Sequence, residues 1–582
     1  MFKLRKYLGR YKKYIIIGPL FKALESAADI ITPYLMAVVI DKGIANLDYG
    51  LIYGLCAIII GMNILSFCFA LICQRASCVA QSYIGRDIRT DLFGHINTLS
   101  HAELDRFTTV TLTNRMIHDV EQICSATGMT IRTVSRAPFL LIGSFVMACF
   151  IDLKLSLIFI VLMPLLVFVV VFIMNKNSPL YSKIKVELDN VTNVARDNLD
   201  SVRVVRAFNK QEYENERFTK ANKKFTAVNV QIAKMASILQ PLIAIIINFG
   251  IIAVLYFGGI RVNAGHITTG NLLAFVNYLL SIANSLVVIA RLIIIYTRTG
   301  ASIKRIREVF NTENTILDPK RPVEVDYELA RGEIEFKNVS FSYNNVKNVV
   351  NNLSLKIDAG QVIGVIGGTG SGKSSIVNLI PRLYDADKGK VLIDGIDVKK
   401  YRVSDLRDLI GIVPQNPVLF EGTLRENMQF RKSNATDDEI IKALEISQSL
   451  DFVKELSDFL DHKVLRGGSN FSGGQRQRLT IARALVGDPK IVILDDASSA
   501  LDFATDAKLR KAIGEKLSES TIILVSQRAT TLMNADNIIV LDNGNIMGIG
   551  KHDELLKTCT TYQEIYYSQN PEEKEVGNNG KK

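Results

Sequence analysis

Gly367, Gly368, Thr369, Gly370, Ser371, Gly372, Lys373 and Ser374, followed by Ser375, fit the spacing G-x-x-x-x-G-K-[ST]. Glycines let backbone N–H groups close around phosphate oxygens, and a helix N-terminus adds positive potential. In that arrangement Lys373 reaches the terminal phosphates and the Ser374 hydroxyl can coordinate Mg²⁺. A Gly-rich turn of this kind also occurs without phosphate, so a second piece matters. Ile491-Val492-Ile493-Leu494-Asp495 is an apolar run of buried-strand type that ends in an acid. A carboxylate at the C-terminal end of a central strand, beside a phosphate loop, can hold a magnesium ion through its water. Together the two pieces define a nucleoside triphosphate site.

Such a site needs a parallel sheet behind it, and the second half of the chain supplies the pattern. Strand-like alternation begins at Glu333, and the run 362–366 leads into the phosphate loop, which opens the helix 374–380. A connector over 311–332, with Pro319 and Pro322, precedes it. The first half is different in kind. With 582 residues, 48% hydrophobic and 22% charged, the chain is far too apolar to be disordered, and the apolar residues crowd into uninterrupted runs before residue 300.

These runs fall at about 14–40, 51–72, 138–151, 155–174, 238–260 and 272–295, each near the ~20 residues that a bilayer core requires except the third, whose helix is expected to begin a turn earlier. Lys3, Arg5, Lys6, Arg10, Lys12 and Lys13 precede the first run with no acid among them, and no small-residue cleavage site follows it. The expectation is a retained span with a cytoplasmic N-terminus. Short links at 41–50, 152–154 and 261–270 alternate with charged connections over 75–135 and 176–235. The positive-inside count places the long connections in the cytoplasm, as helical struts with tips near 104–107 and 208–218. The fold class expected is therefore an α-helical transmembrane bundle of six helices with long cytoplasmic extensions, followed by an α/β P-loop domain. Its expected boundaries are 1–310 for the membrane domain, 311–332 for the linker, 333–570 for the nucleotide domain and 571–582 for a solvated tail.

The net charge of +11 could point to nucleic acid, but basic cytoplasmic segments of a membrane protein account for it, and no nucleic-acid partner is expected. The seven cysteines show neither metal-ligand spacing nor a secreted-type framework. Ionisable residues inside the spans call for a cavity or a partner. Lys22, Glu25 and Asp29 share one face of the first helix, and Asn277, Asn284 and Arg291 recur every seven residues in the sixth. Two readings of these faces stand side by side: they line a translocation cavity, or they satisfy one another within and between helices.

Between the phosphate loop and the strand-end acid lies Asn470-Phe471-Ser472-Gly473-Gly474-Gln475, followed by the helical sequence RQRLTIARAL. This set resembles the ATP-binding cassette (ABC) proteins, and with six preceding helices the chain resembles an ABC exporter half-transporter over nearly its whole length. The resemblance implies ATP and Mg²⁺ as ligands and two cassettes meeting head to tail. The Ser472–Gln475 turn, with Phe471 before it, would then complete the phosphate loop of a second half-transporter. It implies further that Tyr343 stacks on adenine, that Gln415 touches both the magnesium site and a strut, and that Ser374, Gln415 and Asp495 serve the metal. The loop Ser499-Ala500-Leu501-Asp502 would cross the dimer interface, and the strut tips would dock on the cassettes.

Two departures from the family pattern fall on the chemistry. Asp496 stands where the family has a glutamate as general base, one C–C bond, roughly 1.5 Å, shorter. Gln527 stands where the family has a γ-phosphate histidine, and glutamine cannot become cationic near neutral pH. An impaired site paired with an intact Ser-Gly-Gly-Gln turn resembles one subunit of a heterodimeric bacterial multidrug-type exporter, whose partner brings the catalytic glutamate. Fusion of the membrane and nucleotide domains favours export of a small molecule, lipid or peptide across a bacterial plasma membrane. Two other arrangements fit the same residues: a homodimer with both sites active, and a regulatory ATP-binding membrane subunit.

Overall fold

A computed structural model describes residues 4–343 and 348–571, apart from the side chains of Ser178, Ala290, Arg291 and Ile294. Among the described residues six helices are long and apolar enough to cross a membrane: Lys12–Ile44, Tyr49–Thr98, Thr109–Ile151, Leu153–Asp200, Gln211–Asn263 and Thr269–Ile289, the last lying within a helix that runs to Asn311. Large apolar side chains such as Phe67, Phe168 and Phe257 stand more than half exposed on these helices. In water they would form an aggregation-prone surface, whereas hydrocarbon is the solvent that suits them. Pro19, Pro33, Pro164, Pro179 and Pro241 sit inside the long helices, as spanning helices tolerate.

The short links are fastened by side chains. Asp152 caps the fourth span by accepting from the Leu155 N–H at 2.9 Å, and Arg261 at the end of the fifth span pairs with it. Asp41 accepts from the Gly270 N–H at 2.7 Å, tying the end of the first span to the start of the sixth. The long connections carry tip helices at His101–Phe107 and Val202–Ala207. The second tip thus precedes the expected 208–218. Glu212 and Glu214 lie in the first turn of the helix Gln211–Asn263, where acids suit the positive helix end, so 211–218 already belongs to the fifth span.

The chain divides into two compact units. One comprises residues up to Asn97 with Thr108–Thr312, and the other comprises Thr98–Phe107 with Glu313 onward. The first tip helix therefore packs as part of the nucleotide unit, although it lies in sequence between the second and third spans. That differs from the expected purely sequential boundary at 310.

The nucleotide unit contains, among the described residues, strands β1 (Ile334–Phe341), β2 (Val350–Ile357), β3 (Val362–Gly367), β4 (Lys388–Ile393), β5 (Ile396–Asp397), β6 (Ile410–Val413), β7 (Gly422–Thr423), β8 (Lys463–Val464), β9 (Ile491–Asp495), β10 (Thr521–Val525), β11 (Asn537–Asp542) and β12 (Asn545–Gly550). An antiparallel sheet has the order β2-β1-β4-β5, and the main sheet has the order β12-β11-β3-β10-β9-β6, parallel except for β12. In the main sheet Val525 of β10 is in register with Val365 of β3 on one side and Asp495 of β9 on the other. Parallel strands in register end at one edge, so the loops after β3, β9 and β10 open together. The strands are buried on both faces, as their continuous apolar runs require.

Candidate functional site

The phosphate loop leaves β3 and ends at the helix Lys373–Leu379, whose N-cap Gly372 has φ +100°. A side chain at Gly372 would bring its Cβ to 2.7 Å from the Val349 carbonyl, so backbone conformation and space both demand glycine there. At Gly368 and Gly370 a Cβ would meet nothing within 4 Å among the described residues, which leave that flank of the loop open. Lys373 Nζ donates to the carbonyls of Gly367 and Gly368, each at 2.8 Å. The Ser371 hydroxyl is buried without a hydrogen-bond partner among the described residues. An open loop flank, an orphaned buried hydroxyl and an ammonium folded over the loop together suit phosphate oxygens.

Asp495 ends β9 at 8% exposure, and Asp496 follows it in the left-handed region at φ +50°. Burial raises the Asp495 carboxyl above its ordinary range; a hydrogen bond from Ser374 opposes this, the Asp496 charge adds to it, and Lys373 opposes it. Burial raises Asp496 too, against a hydrogen bond from Gln415 and the charges of Lys373 and Arg528. The same burial lowers the Lys373 ammonium, while Asp495 and Asp496 hold it up. Ser374 thus pairs with Asp495 and Gln415 with the adjoining Asp496, oxygen donors of the hard kind that a magnesium ion prefers.

The raised acid has a consequence for stability. An acid whose folded pKa lies above its unfolded value favours the fold while protonated, and that contribution is lost as pH rises through the folded pKa. Asp495→Asn is therefore expected to raise the melting temperature of nucleotide-free protein at pH 8 and to raise it less at pH 5. Thermal melts of both proteins at the two pH values check this, and an equal gain at both would remove buried charge as the cause.

Gln527 follows β10 in the loop after Ser526. Its carbonyl accepts from Gln569 Nε2 at 2.7 Å, and Gln569 Oε1 accepts from the Ala529 N–H at 2.9 Å. A residue from the last described helix, Thr560–Gln569, thus clips the loop from both sides, and no sequence motif pointed to it. Tyr343 is 42% exposed, its hydroxyl 2.9 Å from the Ser375 hydroxyl at the start of the phosphate-loop helix.

The Ser472–Gln475 turn is built separately. Ser472 caps the helix Gly473–Leu485: its hydroxyl accepts from the Gln475 N–H at 3.3 Å, and the Gln475 side chain accepts from the Ser472 N–H at 2.9 Å. A Cβ at Gly474 would lie 3.3 Å from the Ala500 carbonyl, so the turn abuts the 499–502 loop of its own chain. A Cβ at Gly473 would meet nothing within 4 Å. Phe471 is buried against Phe452 and His462, so its ring anchors the turn in the core.

In the membrane unit, Lys22 Nζ contacts both Glu25 carboxylate oxygens at 2.7 Å, as the intrahelical-pair reading has it. Arg136 of the third span adds a partner that the sequence reading missed, 3.0 Å from Asp29 and 3.8 Å from Glu25. Lys22 and Arg136 of this group also border a cavity of about 410 Å³, with Arg132, Ser281, Asn284 and Ser285. Asn284 of the polar stripe reaches that cavity, whereas Asn277 donates to the Leu273 carbonyl of its own helix at 3.0 Å. The Arg291 side chain lies outside the described residues.

A phosphate loop on a parallel sheet, a strand-end pair of acids and a separately capped Ser-Gly-Gly-Gln turn, preceded by six membrane-length helices, define a P-loop nucleoside triphosphate-binding domain fused to a membrane region. Residues 15–286 match the family model described as the ABC transporter transmembrane region, and residues 350–499 match that described as ABC transporter. The chain is 34% identical over 570 residues to an uncharacterised ABC transporter ATP-binding protein of Mycobacterium tuberculosis, which covers 97% of each. It is 31% identical to the ATP-dependent lipid A-core flippase of Desulfotalea psychrophila, over 96% of this chain and 97% of that one. Among solved structures, a bacterial Atm1-family ABC exporter with ATP bound shares the fold with TM-score 0.79 at 24% identity, over 97% of this chain and 98% of that one. The chain belongs to the ABC transporter family as a half-transporter: a helical membrane region fused to an ATP-binding ATPase domain, in the exporter fold.

Proposed function

We propose that the chain is one half of a heterodimeric ABC exporter, in which ATP is hydrolysed mainly at the site that this chain's Ser472–Gln475 turn completes for its partner. The observation that carries this reading is the pairing of Asp496 and Gln527 with an intact, well-capped turn in the same cassette. In its own site Gly367–Ser375 would hold the phosphates, Tyr343 the base, and Ser374, Gln415 and Asp495 the Mg²⁺, which when bound neutralises developing phosphate charge. Asp496 is a base set too far back and Gln527 a γ-phosphate contact without a cation, so this site binds ATP and turns it over slowly.

Surfaces suited to a second half-transporter support the pairing. The tip helix Val202–Ala207 has no buried residue, and the flanking Phe208 is 71% exposed. On the cassette, Phe420 and Phe430 stack at 4.6 Å while both remain exposed. An apolar tip and an apolar receiving patch on the same chain suit an exchange between two half-transporters. The cavity in the membrane unit would take the exported molecule. Lys22 and Arg136 pair with Glu25 and Asp29, while Arg132 donates to Gln74 and to the Gly128 carbonyl, and the three cations of the lining favour a substrate with an acidic group beside an apolar body. The name of the Desulfotalea relative is in keeping with that chemistry. The cassette would face the cytoplasm from a bacterial plasma membrane.

Mixing variant chains tests the asymmetry. In the purified two-chain complex, Asp496→Asn is expected to lower ATP turnover less than about threefold, and Glu→Gln at the partner's general base more than about 100-fold. Vigorous ATPase activity from a dimer of this chain alone would show that no second half-transporter is needed.

A further inference from the structure

Tyr384 lies outside every motif used above, in the segment between the phosphate-loop helix and β4, yet it joins two functional elements. Its hydroxyl donates to Asp105 Oδ2 at 2.7 Å. Asp105 is on the first tip helix, His101–Phe107, which packs within the nucleotide unit and is continued in sequence by the second and third spans. The Tyr384 ring stands at 89° to Tyr343, with centroids 5.2 Å apart, and packs against His101 at 6.0 Å. Burial, with the charge of Arg407 adding to it and that of Asp105 opposing it, lowers the His101 imidazole below its ordinary range and so favours the neutral ring beside Tyr384. Tyr343 in turn reaches the Ser375 hydroxyl at 2.9 Å. An unbroken line of contacts therefore runs from the first turn of the phosphate-loop helix, through Tyr343 and Tyr384, to the tip helix.

We infer that Tyr384 is a positioning residue through which a purine base stacked on Tyr343 shifts the first tip helix. This rests on the base-stacking role proposed above for Tyr343. Edge-to-face rings have a preferred angle and spacing, so a base that takes up the exposed side of Tyr343 and reorients it moves the optimum position of Tyr384. The Tyr384 hydroxyl is held by a carboxylate, a strong and directional acceptor, and Asp105 follows it. The phosphates engage the loop and meet this line at its far end, the Ser375 hydroxyl, whereas the base stacks on Tyr343 itself, next to Tyr384. Occupancy by ATP and occupancy by an inorganic polyphosphate would thus be distinguished at the tip helix.

The test uses the full-length chain in lipid nanodiscs. The chain has no tryptophan, so Tyr343→Trp places a single indole fluorophore at the base position, and its response to ATP reads stacking directly. Separately, amide hydrogen exchange of the peptide covering 98–107 is followed with Mg-ATP and with magnesium tripolyphosphate. With native Tyr384, ATP is expected to change the exchange of this peptide by about threefold or more, and tripolyphosphate to leave it unchanged. Tyr384→Phe keeps the ring and loses the hydroxyl; it should abolish the ATP response while altering ATP affinity by less than about twofold. Asp105→Ala should do the same, and Asp105→Asn, which keeps an acceptor oxygen, should restore the response. A Tyr384→Phe protein that responds like its parent, or tripolyphosphate acting as ATP does, overturns the relay. If the indole fluorescence of Tyr343→Trp is silent to ATP, the base-stacking reading falls and the relay loses its input. If that fluorescence responds while Tyr384→Phe changes nothing, the relay alone falls.

Discussion

Asp496→Glu combined with Gln527→His is expected to raise ATP turnover at this chain's own phosphate loop by on the order of 10²-fold, the scale of the loss that a misplacement of about 1 Å produces. The backbone at both positions is held, so the added reach goes into the site. The Asp496 N–H donates to the Val525 carbonyl at 2.9 Å, and its own carbonyl accepts from the Ser499 hydroxyl at 2.9 Å. Gln569 fixes the loop at Gln527. A glutamate carboxylate would start from the same Cα and extend about 1.5 Å further, past the Gln415 contact that now holds Asp496. The pocket already raises the pKa of an acid at this position, as a general base near neutral pH requires. The two substitutions act on one reacting phosphate, so each alone should recover less than half of the logarithmic gain. The measurement is ATPase activity of the two-chain complex whose partner carries Gln in place of its glutamate, which leaves this site as the source of turnover. A gain under about threefold would mean that something other than these two side chains limits the site.

What was legible beforehand was whatever chemistry is local in the chain. The phosphate loop, the apolar strand ending in Asp495 and the Ser472–Gln475 turn are each contiguous, and each needs its residue types at fixed short spacing for backbone reasons, as the φ of Gly372 and the cap of Ser472 show. The six spans were equally plain, because a bilayer imposes one length on all of them. Partners far apart in sequence were not legible. Arg136 meets Asp29 across 107 positions, Gln569 meets Gln527 across 42, and Tyr384 meets Asp105 across 279. Periodicity assigns a face to a helical residue such as Asp29 or Arg136 and nothing to Gln527 or Tyr384 in irregular segments, and in every case packing between elements chooses the partner. The polar stripe of the sixth span shows the same limit: Asn277 and Asn284 share a face by spacing, yet one bonds its own helix and the other borders a cavity. Phe471 stands beside a ligand motif in sequence and turns inward in space, because a Ser cap at the next position reverses the chain and leaves the ring over the core.

Gly473→Asp should separate stability from function with opposite signs, and it is the sharpest probe of the shared cleft. A Cβ at Gly473 meets no heavy atom within 4 Å among the described residues, so a side chain can leave the backbone there without a clash at its base. Gly473 is the first residue of its helix, where a carboxylate faces the positive helix end and gains ~0.3–1 kcal/mol, and where replacing glycine also relieves a propensity cost of a few tenths of a kcal/mol or more. The melting temperature of the complex should therefore hold or rise. The same charge occupies the place where the helix end would meet the phosphates bound by the partner's loop, and two anions competing for one set of N–H donors exclude each other. Turnover of the complex should fall at least about 100-fold, the scale seen when a single positioned donor is lost. Gly473→Asn, nearly the same size without the charge, should lie between parent and Asp variant, which assigns the difference to electrostatics. In a complex where the partner's turn instead completes the productive cleft, Gly473→Asp would leave turnover nearly intact, and the assignment of the working site would reverse.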